Sequence, residues 1–427
     1  MNEEAQAFEQ ATYRKVAWRL MPLLLICYIV AYLDRVNVGF AKLQMMQELG
    51  FSDVIYGLGA GIFFIGYFIF EVPSNIILHK IGARVWIGRI MITWGILSAA
   101  MMYVSTPTSF YVMRFLLGVA EAGFFPGIIL YLTYWYPSQR RGHMTTVFMT
   151  GIPMAGVIGG PLSGAIMKMC DGLHGWAGWQ WMFLLEGVPS ILLGLVVIAM
   201  LDDRIADAKW LTEEERALLI ERISEEEAQK EDAPVLKVLG SGRVWWMASI
   251  YFTFVMGIYG ISFWLPTIIK ATGIADALQV GTLSAIPYAV AVAVMLAVAK
   301  RADAQQERRW HVAIPAVLGA IGLLLSVAWA KDTTLALAAL TLATAGIMTT
   351  LPLFWSLPTA FLAGTGAAAG IAMINSLGNL AGFMSPYLVG WLKEATASTD
   401  TGMYMLASCL VLGAILTLLV PPQMVNK

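Results

Sequence analysis

Apolar runs of about twenty residues, the length a helix needs to cross a bilayer, alternate along the chain with short polar turns, and one charged stretch interrupts them near the middle. The runs predict twelve spanning helices near 18–40, 55–79, 84–104, 107–132, 143–169, 179–201, 244–270, 277–299, 309–330, 333–362, 364–395 and 401–420. The interruption, which opens "LDDRIADAKWLTEEERALL", is too polar to span and carries a helix N-cap signature from Thr212 to Glu215. It divides the chain into a six-helix set over 1–201, a polar connector over 202–243 and a second six-helix set over 244–427.

Composition agrees with an all-α integral membrane protein: of 427 residues 59% are hydrophobic and only 13% charged. The net charge of −1 carries little; the positions of Lys and Arg carry more. Lys42, Lys168, Lys270, Lys331 and Lys393 fall in one set of turns. The alternate set holds the basic clusters at Arg14, Lys15 and Arg19, at Lys80, Arg84 and Arg89, at Arg140 and Arg141, and at Lys300, Arg301, Arg308 and Arg309, together with the connector. Both termini and the connector are therefore expected on the cytoplasmic side of a cell membrane, probed by "HKIGARVWIGR" and "AKRADAQQERRWH" as matching basic turns of the two sets. The opening "MNEEAQAFEQATYRKVAWRL" lacks a cleavable signal, so the first run is expected to remain a membrane helix. Cys27, Cys170 and Cys409 have neither paired nor metal-ligand spacing.

Charge inside the apolar runs changes the picture. Asp34, Arg35, Glu71, Arg114, Glu121 and, nearer a helix end, Glu186 all fall in the first six spans. Ionisable groups at that depth face a protein interior or a water-filled path. Arg114 and Glu121 are two helical turns apart and share a face, with Gly118 between them allowing close approach of a neighbour, expected to be the first helix. Two acids and two bases are then expected around one cavity. Protonating Asp34 or Glu121 would free an arginine for a substrate carboxylate; a fixed Arg114–Glu121 pair holding helices in register is the structural alternative. No nucleophile with a base, metal-ligand set or phosphate-binding loop is present, and "GTGAAAG" lacks a following Lys-Ser/Thr. A non-enzymatic protein without cofactor or nucleic-acid partner, driven by an ion gradient, is the expectation.

Several stretches carry a family likeness: "YLDRVNVGFA", "EVPSNIILHKIGARVWIGR", "RFLLGVAEAGFFPGIILYLTYWYP", "WQWMFLLEGVPSILLG" and "GIAMINSLGNLAGFMSPYLVGWL". Along its whole length the chain resembles the major facilitator superfamily, and within it the anion:cation symporter branch that takes up small organic acids. The resemblance implies two six-helix bundles rocking about a midplane site, usually as a monomer, with Asp34 and Glu121 carrying protons, Arg35 binding a substrate carboxylate, Arg114 tuning Glu121, and Asn375 touching substrate. The cytoplasmic turn departs from the family's Gly-x-x-x-Asp-Arg core, with Asn75 and His79 in place of Gly and Asp. Lys80, Arg84 and, in the second copy, Asp303 belong to these turns and are assigned gating or structural roles, as are Glu71 and Glu186.

The rest of the pocket is drawn from polar and aromatic groups in apolar helices. Asn375 and Asn379 share a helix face; Trp355 and Ser356 lie between Pro352 and Pro358; Tyr32 and Asn37 flank the Asp34–Arg35 pair; Tyr259 and Tyr288 rank behind them. The Trp-rich "WAGWQWMF" reads as an interfacial belt. "GVIGGPLSG", Gly156 to Gly164, matches a pattern associated with antiporters and reads as a small-residue packing face. Proton-coupled import of a small organic anion leads; exchange of organic anions or efflux is the alternative. Trp264 and Trp355 with few charges in the second set lean toward a monocarboxylate on an apolar or aromatic body, unless Arg114 supplies a second cation.

Overall fold

The computed structural model describes residues 3–228, 240–360 and 364–425, and the described residues form helices and turns. The first run extends well beyond its apolar part, as α1 (Glu3–Val36) followed after Asn37 by α2 (Val38–Leu49). Its polar start stays helical because Glu9 is held by Arg140 at 3.2 Å and Arg222 at 3.1 Å, and Lys15 by Glu215 at 2.7 Å. Next come α3 (Asp53–Ile81), α4 (Ala83–Ala100), α5 (Pro107–Glu121) and α6 (Phe124–Thr133). The single fourth span of the sequence reading is thus two helices, interrupted just after Glu121 where Gly123 takes φ 87°, a conformation that L side chains rarely adopt. There follow α7 (Ser138–Met149), α8 (Gly151–Met169), α9 (Gly178–Met200) and the connector helix α10 (Glu213–Ala228). The expected cap is present: Thr212 Oγ1 accepts from the Glu215 amide at 3.2 Å, and the Glu215 carboxylate accepts from the Thr212 amide at 2.8 Å.

The second set comprises α11 (Gly242–Ala271), α12 (Ala277–Gln305), α13 (Arg309–Ala328), α14 (Thr333–Thr359), α15 (Gly364–Thr396) and α16 (Asp400–Leu418), then the short α17 (Pro422–Val425). Among the described residues, 11 segments are long and apolar enough to cross a membrane. The 33-residue α15, packed on α3 and α11, completes the twelve expected spans.

The two sets meet through α3 against α15 and α8 against α12. On the face opposite the termini their backbones touch. A Cβ at Gly160 would lie 2.4 Å from the Gly281 carbonyl oxygen, and one at Gly57 would lie 2.5 Å from that of Pro386. The Gly156–Gly164 stretch is therefore a packing face, and its partner is the second set. Charges seal the same end. Asp53 pairs with Lys42 at 2.8 Å and with Lys393 at 3.0 Å, and Lys42 Nζ sits 3.4 Å from the centroid of the Trp264 ring. Lys168 pairs with Asp276 at 2.6 Å; this bond and the Gln279 amide hold the Asp276 carboxyl below its usual range. Trp264 is thus part of this closure, which removes one reason for expecting an aromatic substrate.

Gly118 meets α3 and not the first helix: a Cβ there would lie 1.9 Å from the Phe63 carbonyl oxygen. Backbone cannot yield as a side-chain tip can. Gly118→Ala is expected to destabilise the protein by about 2 kcal/mol through overpacking, read as a lower melting temperature of the detergent-purified protein; an unchanged value would refute the contact.

A buried ion pair at the junction of the two helix sets

Asp34 and Arg35 are consecutive in α1, so their side chains leave the helix about 100° apart. This angle decides the site. Arg35 turns toward the second set: Nε donates to Glu121 Oε1 at 3.1 Å, Nη2 pairs with the same oxygen, and Nη1 donates to the Tyr259 hydroxyl at 3.0 Å. The guanidinium also lies 5.4 Å from the Phe63 ring centroid, 5.5 Å from Tyr67 and 5.7 Å from Tyr32. Arg35 and Glu121 are both buried. In such a place a charge persists only when paired.

Asp34 faces the other way, into the first set. Trp94 Nε1 and the Ser98 hydroxyl each donate to it at 2.9 Å, and the Ser190 hydroxyl donates as well, from α4 and α9. The expected ring of two acids and two bases around one cavity is therefore divided. Arg114 likewise does not pair with Glu121, although they share a helix face. Its donors go to the backbone carbonyls of Gly59 at 3.2 Å, Ala60 at 3.3 Å and Arg35 at 3.4 Å, and its guanidinium lies 5.0 Å from the Phe63 ring centroid. The fixed-pair alternative fails for the same reason: Glu121 belongs to Arg35. Arg114 pins α5 to α3 and to the end of α1.

Three other expected residues come together across the sets. Glu71 of α3 accepts from Asn375 Nδ2 at 2.8 Å and Asn379 Nδ2 at 3.0 Å of α15. Glu71 is one turn beyond Tyr67, which puts this cluster beside the Arg35 pair. Tyr32 exchanges a hydrogen bond with Ser262 of α11 at 3.0 Å. Asn37, at the interruption of the first span, donates to Glu186 at 3.0 Å, and Ser163 donates to the same carboxylate at 2.7 Å. That places Asn37 and Glu186 together within the first set. Trp355 packs on Tyr251, 5.0 Å between ring centroids, and Tyr251 in turn covers Gly378 beside Asn379.

Ser356 is not at the site: its hydroxyl bonds to Leu353 of its own helix at 2.6 Å, and its carbonyl accepts from Arg308. Lys80 and Arg84 are exposed at the end that carries the termini. There Asp203 accepts from the Arg84 amide at 2.8 Å and His79 meets the Tyr134 hydroxyl at 3.1 Å, so this turn is tied within the first set. The Asp303 side chain lies outside the described residues. The tryptophan belt is corrected at Trp179, which is buried and donates to Glu48 at 2.7 Å.

The sequence reading undervalued Tyr259 and passed over Tyr67, Ser262 and the partners of Asp34. Nearly all of α11 is buried, so no polar or apolar face singles out Tyr259 or Ser262.

A helical bundle of this length with charges paired at its centre and two sets meeting around them is built for moving solutes across a membrane. The chain belongs to the Major Facilitator Superfamily, whose sequence profile matches residues 24–386. It is 50% identical over 413 residues to a proposed tartrate transporter of Agrobacterium vitis, covering 96% of this chain and 91% of that protein. It is 44% identical over 416 residues to a quinolone resistance transporter of Acinetobacter baumannii, covering 97% and 95%. The fold matches that of the xylose transporter XylE from E. coli in a partially occluded inward open conformation, with a TM-score of 0.76 at 15% identity over 95% and 98% of the two chains. It is a multi-pass transporter of the cell membrane and not an enzyme.

Removing one member of each cluster separates the two acids. Glu121→Gln leaves Arg35 as a buried cation without its counter-ion and is expected to destabilise the protein by about 3 kcal/mol or more. Asp34→Ala strands three donors, at a cost of about 3 kcal/mol. Thermal unfolding tests both: a small added carboxylate restores the first variant and leaves the second unchanged, whereas equal rescue would mean that Asp34 also faces the cavity.

Proposed function

We propose that the protein imports a small organic anion together with protons, by alternately exposing a site between 1–201 and 244–427 to the two sides of the membrane, with the termini cytoplasmic and the chain acting as a monomer. The observation that carries this reading is the Arg35–Glu121 pair, a guanidinium already holding an internal carboxylate and touching Tyr259 of the opposite set. Protonation of Glu121 removes that carboxylate's charge, and a substrate carboxylate takes its place on Arg35 through a charge-assisted bidentate contact. Proton and anion then travel together. Deprotonation on the far side returns Glu121 to Arg35 and expels the anion.

Asp34 has a different part in this cycle. It does not compete for Arg35; its proton would loosen the contacts among α1, α4 and α9, so it couples through packing. Asn375 and Asn379 supply donors for the rest of the substrate, with Tyr32, Tyr259 and Trp355 as walls. A relative named for tartrate supports an organic acid as cargo. A relative named for quinolone resistance supports a second reading, exchange or export of an organic anion.

Uptake of labelled organic acids into proteoliposomes, with an inward proton gradient imposed or collapsed, decides between them. Symport predicts gradient-driven accumulation in the wild type that is lost in Glu121→Gln and Asp34→Asn, with counterflow retained in at least Glu121→Gln. Uptake that ignores the gradient but requires a trapped internal anion would establish exchange and remove Glu121 from coupling.

A further inference from the structure

The cycle above leaves one buried carboxylate without a task. Glu71 projects from α3 to the junction of the two helix sets, where the side-chain amides of Asn375 and Asn379 converge on its two oxygens at 2.8 and 3.0 Å. Among the described residues no lysine or arginine pairs with it. A carboxylate held by neutral amides of the opposite set is a weak way to bind two helices that must later part, and an apolar pair would pack there at lower cost. It is a good way to keep two donors satisfied until another acceptor arrives.

The arrangement repeats what happens at Arg35. In both places an internal carboxylate sits on donors facing the junction: Glu121 on Arg35 of α1, Glu71 on the asparagines of α15. The two places adjoin, because Tyr67, whose ring centroid is 5.5 Å from the Arg35 guanidinium, is one turn before Glu71 on α3.

We infer that Glu71 is a built-in occupant of a second acceptor subsite, standing where the far end of the transported acid goes, and that the substrate is therefore an acid with two polar ends, a dicarboxylate or a hydroxylated acid. The inference rests on the organic-anion reading above. An acid with a carboxylate at one end and an apolar body would displace Glu71 only by leaving two buried amides without acceptors, the kind of mismatch that sites built for hydrogen bonding reject strongly. A two-ended acid replaces acceptor with acceptor. It also takes over the bridge between the sets, from Arg35 on α1 to the asparagines on α15, so that closing around substrate costs none of the ties that hold the empty protein together. While Glu71 occupies the subsite, the apparent affinity for such an acid is reduced by the fraction of molecules in which the subsite is free.

The test compares four-carbon acids on the purified full-length protein: succinate and tartrate with two polar ends, butanoate with one. Binding is measured by calorimetry for the wild type, Glu71→Gln, Glu71→Ala, the Asn375→Ala/Asn379→Ala double variant and Arg35→Ala. The wild type is expected to prefer a two-ended acid to butanoate. Both Glu71 variants should bind that acid about tenfold tighter, a gain of about 1.4 kcal/mol, with butanoate unchanged within about twofold, and the double asparagine variant should lose the preference. An equal gain for butanoate, or weaker binding of every acid in both Glu71 variants, would overturn the inference while leaving the organic-anion reading intact. Should neither Glu71 variant fold, butanoate binding to the wild type as tightly as succinate and tartrate would overturn it. No acid binding to the wild type, or binding that survives Arg35→Ala, would bring down both.

Discussion

A guanidinium and a carboxylate buried together at the centre of a bilayer-sized bundle are the constraint around which this protein is arranged. In a medium of low dielectric neither Arg35 nor Glu121 can stand alone, and their attraction offsets the loss of water only because geometry is good and a further partner, Tyr259, takes up a remaining donor. The pair also makes the protein switchable. Any event that removes the charge of Glu121 leaves a cation that must find another anion, and the nearest acceptable one is a substrate carboxylate. The same physics that would make such a pair a poor source of stability makes it a sensitive lock.

Local irregularities sit where the lock needs them. The first span is interrupted at Asn37, two residues after Arg35, and the fourth just after Glu121, where Gly123 carries the chain through a left-handed turn. Arg114, a second buried cation, does not dilute the pair, because backbone carbonyls of α3 and of Arg35 itself absorb its donors. Asp34 is kept from competing by the helix itself, which turns it away from Arg35 toward Trp94, Ser98 and Ser190. Adjacent charges in sequence thus belong to different machinery: one to the junction between helix sets, one to the interior of a set.

The contacts between the sets are unequal along their length. Opposite the termini, small residues let backbones touch and a cluster of Lys42, Asp53, Lys393 and Trp264 closes the end. Nearer the centre the ties become single polar contacts, Tyr32 with Ser262 and Glu71 with Asn375 and Asn379. Such contacts can be exchanged one for one with a ligand, which close-packed backbone cannot. The protein is therefore rigid at its sealed end and negotiable at its centre.

The number of spans, the polar connector with its Thr212–Glu215 cap, the packing role of Gly156–Gly164 and the concentration of buried charge in the first six helices were all legible in the sequence, because bilayer thickness, helix period and the cost of burying charge act locally. Pairing was not. That Arg35 takes Glu121 while Arg114 takes carbonyls, that Asp34 faces inward, that Glu71 reaches across to Asn375 and Asn379, and that Trp264 covers a lysine at the sealed end depend on which helices become neighbours and how each is rotated. Nothing in a uniformly apolar helix such as α11 announces its working face, since lipid and protein interior reward the same side chains; only the tertiary structure, by bringing a charge against Tyr259, decided which of its residues matter.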